Sequence, residues 1–284
     1  MASSEPIQNR YRSVFISDVH LGTKASRADA LLEFMKTFEC EKLYLVGDII
    51  DCWAMSKSIY WHQSHNDVIQ KILRRGRKGS GIVYISGNHD EILRNFGENL
   101  FGNIHIAERA IHITADNKRM LVIHGDQFDA VIANAKWLAH LGSWAYDIAM
   151  ALNTLVARIR GWFKLPYWSL SAWAKYKVKE AVNFIGNYEE TLASYAKTQN
   201  VDGVICGHIH HANISDFNGI VYINTGDWVE SCTAVVEHYN GTFEIIRYKE
   251  NESNEINKQI ESIDSSKRQR KRKEVLVKAS KKVT

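Results

Sequence analysis

The sequence predicts an α/β sandwich. Three observations carry that expectation. Six short β-branched runs recur along the chain, helical patterns lie between the earlier ones, and the series closes on a hairpin. Residues 127–200 break the alternation, with helical periodicity and no strand signal.

In order, "SVFIS" (13–17), "LYLVG" (43–47), "IVYIS" (82–86), "MLVIH" (120–124), "GVICG" (203–207) and "IVYIN" (220–224) read as buried strands. Ala28–Phe38 and Asn66–Arg75 read as helices between them. Residues 233–248 read as a hairpin turning at Asn240-Gly241, a dipeptide that accepts the positive φ of a tight turn. Within 127–200, Trp137, Leu141, Trp144, Ile148, Leu152, Leu155, Ile159 and Trp162 fall at steps of three and four, one apolar stripe along a long helix. Gly161 and Pro166 break that helix, and a second pattern runs from about Ser169 to Tyr188. A helical hairpin is therefore expected between two strands of the body.

The 284 residues suffice for a substantial core, and no apolar run approaches the roughly 20 residues of a spanning helix. The N-terminus lacks the apolar segment of a secretory signal. Cys40, Cys52, Cys206 and Cys232 are widely spaced, which favours reduced thiols in a cytosolic setting over disulfides or a zinc–cysteine site. The net charge of +4 hides an asymmetry: residues 265–284 hold nine Lys or Arg against one Glu, leaving −4 on residues 1–264. The basic tail reads as a disordered segment that either solubilises the chain or attracts anionic lipid or nucleic acid.

Polar residues with metal-ligand chemistry cluster just after the expected strands. "SDVH" offers Asp18 and His20. "GDIID" offers Asp48, with Asp51 three residues on. "GNHDE" offers Asn88, His89 and Asp90. "HGD" offers His124, and "GHIH" offers His208 and His210. Singly, a strand-end Asp is more often a cap and a lone His structural. Five strands each delivering Asp, Asn or His to the edge where open α/β sheets bind ligands point instead to one polynuclear site. Carboxylate, amide and imidazole donors without Cys suit two divalent ions, Mn²⁺ foremost, with Fe²⁺ and Zn²⁺ also compatible. A pair about 4 Å apart, sharing one carboxylate, activates water and neutralises a phosphoryl group.

The ordered set D-x-H, G-D, G-N-H-D, H, G-H-x-H resembles the calcineurin-like metallophosphoesterases over roughly residues 12–250. The resemblance implies a four-layer α/β/β/α sandwich. It also implies one ion on Asp18, His20 and His210, a second on Asn88, His124 and His208, and Asp48 bridging them. His89 would stabilise the transition state or protonate the leaving oxygen, oriented by Asp90.

The insertion narrows the expectation. Residues 136–179 carry five of the eight tryptophans and seven Lys or Arg against the single acid Asp147. Basic charge interleaved with indole rings suits an interface between apolar chains and phosphate, whereas its bland counterpart is a stripe packed on the core. With "LYLVGDIIDCW", "GNHDEIL" and "LPYWSLSAWAKYKVKEAVNF", the chain is similar to the UDP-2,3-diacylglucosamine diphosphatases of lipid A biosynthesis. It departs from their well-characterised members in carrying His89 where they carry Arg.

That similarity implies hydrolysis of a UDP-linked acylated sugar to UMP and lipid-sugar 1-phosphate, with Lys175, Lys177 and Lys179 as candidate phosphate contacts. It further implies a cytoplasmic chain held peripherally at an anionic inner-membrane surface. A phosphoesterase acting on another phosphodiester or on nucleic acid is the competing expectation. A non-catalytic scaffold is disfavoured because every ligand position is filled. The expected organisation is a flexible N-terminus (1–11), a core (12–126 and 201–250), a helical lid (127–200) and a basic disordered tail (251–284).

Overall fold

Strand β1 (Asn9–Ile16) is buried continuously from Ser13, as a strand covered on both faces must be. It is described in a computed structural model covering residues 9–96, 100–128 and 188–249. The Lys175, Lys177 and Lys179 contacts, most of the lid and the basic tail lie outside the described residues.

β1 pairs in parallel with β2 (Phe38–Val46), setting Val14 opposite Leu43, and β2 pairs in parallel with β3 (Gly81–Ile85). β4 (Leu100–Phe101) and β5 (Ile104–Ala107) extend that sheet on one side. The hairpin β11 (Thr233–Glu237) and β12 (Phe243–Arg247) extends it on the other, in the order β12-β11-β1-β2-β3-β5-β4. A second sheet has the order β6-β7-β8-β10-β9. Its strands are β6 (Arg109–Ile113), β7 (Arg119–Ile123), β8 (Gly203–Cys206), β9 (Asn213–Phe217) and β10 (Ile220–Asn224).

The two sheets meet face to face. Phe15, Tyr44, Val46 and Ile85 of the first share one buried cluster with Met120, Val122, Ile205 and Ile223 of the second. Helices α1 (Ala28–Phe34) and α3 (Gln63–Arg77) pack together beside the first sheet. A helix over 188–198, α4, lays Tyr188, Leu192 and Ala196 on the outer face of the second sheet against Leu121, Val204 and Tyr222. The order is α/β/β/α. Among the described residues no helix is long and apolar enough to cross a membrane, and all four cysteines are free thiols.

Several boundaries differ from the expectations. β1 begins at Asn9, paired with Phe38, so part of the segment read as a flexible N-terminus belongs to the sheet. α1 stops at Phe34 because β2 has already begun at Phe38, where Phe38 and Cys40 turn inward and Glu39 and Glu41 outward. The last turns of the segment read as lid are core, since Tyr188 and Leu192 are fully buried.

A polar network joins the sheets through this apolar centre. Glu237 on β11 receives Arg12 Nη1 at 2.7 and 2.9 Å and lies 2.8 Å from His112 Nε2 on β6, whose Nδ1 meets the Tyr44 hydroxyl at 3.1 Å. Burial alone would raise the Glu237 carboxyl, but His112 and the Ala115 N–H outweigh it and hold it below the usual range. A lowered carboxylate contributes stability above its unfolded pKa, near 4.3, and loses it as pH falls through the folded value. Glu237→Gln is expected to cost about 3 kcal/mol at pH 7, because the Arg12 guanidinium loses its charged partner and the His112 ring its acceptor. Urea midpoints from pH 7 to pH 3 should show the gap to wild type narrowing in acid; a constant gap contradicts the ion-pair reading.

Candidate metal centre

The carboxyl ends of β1, β2, β3, β7 and β8 open at one edge of the sandwich, and the polar residues after them converge there. The connecting turns are strained. Asp18, His20, Asp48, His208 and His210 all have φ between 51° and 72°, the left-handed region that costs a non-glycine residue about 1 kcal/mol or more. Hydrogen bonds between turns hold them: Val19 N and His20 N both donate to Asp48 O at 2.9 Å, and Gly207 N to His124 O at 3.1 Å. Two glycines make room. A Cβ at Gly47 (φ +82°) would overlap the His124 ring, and one at Gly87 would overlap Asp48 Oδ1.

Each buried carboxylate is anchored by one oxygen and leaves the other open. Asp18 Oδ2 accepts from the Ser17 hydroxyl at 2.6 Å and from His208 N at 2.8 Å, while Oδ1 has no hydrogen-bond partner. Asp48 Oδ1 accepts from His89 N at 2.9 Å, and Oδ2 has none. The imidazoles follow the same logic. His124 Nδ1 donates to Val46 O at 2.9 Å, which leaves Nε2 to face Asp48 Oδ2 at 3.3 Å. His20 Nδ1 lies 3.1 Å from Asp51 Oδ2, so its Nε2 faces Asp18 and Asp48 at 4.0 and 3.9 Å. His210 Nε2 is 3.0 Å from Asp18 Oδ1.

Among the described residues these atoms form the ligand clusters Asp18–His20–His210 and Asp48–His124–His208, and His20, Asp51 and His89 form a third, each within 4.8 Å. Asp48 Oδ2 faces the first two. Asn88 adds a buried Oδ1 without a partner. Unsatisfied buried polar atoms are costly, and here Asp18 Oδ1, Asp48 Oδ2, Asn88 Oδ1, His20 Nε2 and His124 Nε2 all belong to the sequence-derived ligand set. Their donor types fit divalent cations.

The electrostatics agree with that fit. Burial would raise the Asp48 carboxyl, but the His124 imidazole overrides it and brings it to about 2. Burial would lower His124, but Asp48 and Asp18 push it up to about 10. The pair therefore holds a proton that a divalent cation would displace.

His89 sits at the mouth, its Nδ1 2.9 Å from Asp51 Oδ2 and its Nε2 4.0 Å from Asp48 Oδ2. The expectation that Asp90 orients it is corrected. Asp90 accepts from Ile49 N (2.9 Å), Gly87 N (2.6 Å) and the Tyr84 hydroxyl (2.6 Å), clamping two turns together. The orienting carboxylate is Asp51. It also caps α2 (Cys52–Lys57) through Ala54 N at 2.7 Å, and both imidazoles hold it well below the usual range despite burial. The spacing of Asp51 three residues after Asp48 was the signal for it.

Sequence reasoning missed the aromatic rim. The half-exposed Trp53 ring lies 4.6 Å from His89. Exposed Tyr60 and Trp61 flank His65, whose Nδ1 accepts from Gly22 N beside the His20 turn.

Comparison with known proteins gives the family. The protein-family model described as calcineurin-like phosphoesterase matches residues 11–212. The UDP-2,3-diacylglucosamine hydrolase of Histophilus somni (strain 129Pt) is 30% identical over 251 residues, covering 81% of this chain and 97% of that one. The protein of the same name from Blochmanniella pennsylvanica is 26% identical over 116 residues, and the match spans 40% of this chain and 46% of that relative. Among solved structures, an archaeal phosphodiesterase aligns over 83% of this chain and 98% of its own at 12% identity and a TM-score of 0.41. With the family model matched across most of the sandwich and its ligand residues gathered at one sheet edge, the chain belongs to the calcineurin-like phosphoesterases and is a metal-dependent hydrolase.

Proposed function

We propose that the chain hydrolyses the pyrophosphate of a UDP-linked acylated sugar of the UDP-2,3-diacylglucosamine type, releasing UMP and a lipid-sugar 1-phosphate. The observation that supports it most is the pair of ligand clusters that meet at Asp48 Oδ2, 3.3 Å from His124 Nε2 and 3.9 Å from His20 Nε2, beside exposed aromatic side chains, in a chain whose relatives bear that substrate's name. Asp18, His20 and His210 would hold one ion and Asn88, His124 and His208 the other, with Asp48 between them. Bound there, two divalent ions, Mn²⁺ foremost, supply an activated water and neutralise charge on the phosphoryl group.

The rest belongs to the chain's own groups. Asp51 engages Nδ1 of His89, leaving Nε2 to face the reacting phosphate and donate a proton to the departing oxygen. Trp53 limits water on one side of that imidazole. Trp53, Tyr60, Trp61, Ile92 and Phe96 offer exposed apolar surface to acyl chains.

UMP release should therefore favour UDP-2,3-diacylglucosamine over deacylated UDP-glucosamine by about a hundredfold in kcat/KM, since each buried CH₂ contributes about 0.8 kcal/mol. Equal rates on the two compounds would remove the lipid from the proposal. Cleavage of neither, with a simple phosphodiester hydrolysed, would remove the nucleotide sugar altogether.

A further inference from the structure

A second polar site lies at the opposite end of β2 from the metal centre. A cavity of about 450 Å³ is lined by Phe38, Cys40, Lys71, Arg74, Arg75 and Lys78, with Glu39, Glu41, Gly79 and Ser80 completing the wall. Cys40 and Val46 are separated by six residues of strand, or roughly 20 Å, so the two sites are distinct.

Lys71, Arg74 and Arg75 lie on the last two turns of α3 and Lys78 is its C-cap, at steps of three, four and seven from Lys71, so the four gather at one end of the helix. Like charges so spaced repel. Basic residues in a last helical turn are ordinary, because the helix dipole favours them. The dipole does not explain why four of them line one cavity.

Their partners do not neutralise them. Among the described residues, none of Lys71, Arg74, Arg75 and Lys78 has a carboxylate within salt-bridge distance; Arg74 donates to Gln70 Oε1 at 3.1 Å. Of the two acids of the wall, Glu39 pairs with Arg10 at 3.8 Å, and its charge also reaches Arg75 without a salt bridge.

Arg75 is the decisive group. It is 7% exposed, stacks 4.2 Å over the Phe38 ring, and donates from Nη2 to Met35 O (2.5 Å) and Phe38 O (2.6 Å). Its buried Nε has no partner. A guanidinium fixed in the wall by its backbone acceptors, beside three cations without a salt-bridge partner among the described residues, gives this cavity an excess of charged donors for an anion with several acceptor oxygens. Burial and the surrounding cations also lower the Lys71 ammonium, the condition a bound anion would relieve. Cys40 offers no competing chemistry, because burial pushes its thiol up to about 11.

We propose that this cavity binds a phosphate group, carried by a small organophosphate or by an anionic lipid headgroup, independently of the metal centre. Its volume falls within the range of small-molecule pockets.

The test uses full-length protein stripped of metal by a chelator, so that the phosphoesterase centre holds no cation. Inorganic phosphate is titrated by calorimetry at low salt, and phosphatidylglycerol vesicles are tested by co-sedimentation. The comparison is Lys71→Gln/Arg74→Gln/Lys78→Gln, which keeps Arg75 and its packing. Thermal melting and metal-loaded turnover are expected to match wild type.

Phosphate affinity is expected to fall about tenfold or more in the variant, since each charge-assisted hydrogen bond is worth roughly that factor. If vesicle binding falls instead and free phosphate does not bind, the phosphate source is a lipid headgroup. If the two proteins bind phosphate and vesicles equally, or neither binds either probe, the proposal is wrong.

Discussion

Asp48→Ala is expected to lower bound metal from two equivalents per chain to one or fewer, and kcat/KM by about a thousandfold or more. Asp48 is the carboxylate whose open oxygen faces both clusters, 3.3 Å from His124 Nε2 and 3.9 Å from His20 Nε2. Its other oxygen fixes the His89 turn through the backbone. Removing it deletes the negative charge that a bridged pair of cations needs and leaves two half-sites. Asp48→Asn separates charge from shape, because the amide oxygen can still accept from His89 N while the bridging charge is gone. Metal analysis after equilibrium dialysis, run beside turnover, checks both variants. Two equivalents retained by Asp48→Ala would end its role as the bridge.

His89→Ala should behave differently, keeping both ions while turnover drops about 10²- to 10⁴-fold, the span of a positioned general acid. Neither Asp18–His20–His210 nor Asp48–His124–His208 includes His89, whose Nε2 stands beside them at the mouth; it groups instead with His20 and Asp51, so metal analysis of the variant decides between the two roles. Asp51→Asn, which loosens His20 and His89 together, should lose about 10- to 100-fold and show a matching fall in metal affinity. Normal rates for His89→Ala, or metal loss equal to that of Asp48→Ala, would contradict the division between holding cations and moving a proton.

Much of this site was legible in the sequence because its information is local. A buried strand announces itself as a β-branched run, and the Asp or His following it within two or three residues is carried to the same sheet edge by the parallel topology. Chain distance explains the failures. Asp90 follows His89, but consecutive residues point apart, so its carboxylate reaches Ile49 and Tyr84 while Asp51 reaches His89 from another turn.

Strand β2 starts five residues before the run that signalled it, because Phe38–Glu41 alternates inward and outward and Lys42 is exposed, instead of the stretch being apolar throughout. The short strands β4, β5, β6 and β9 went unread, since a few half-exposed residues leave little periodicity to detect. The left-handed turns at Asp18, His20, Asp48, His208 and His210 have no residue-type signature beyond the tolerance of Asp and His for that conformation.

The most direct measurement is a titration of Mn²⁺ into chelator-treated protein, following UMP release from UDP-2,3-diacylglucosamine. A dinuclear centre built on Asp48 predicts activity that rises to a plateau at two equivalents per chain and is abolished by Asp48→Ala. Full activity at one equivalent, or UMP release that persists without added metal, would contradict it.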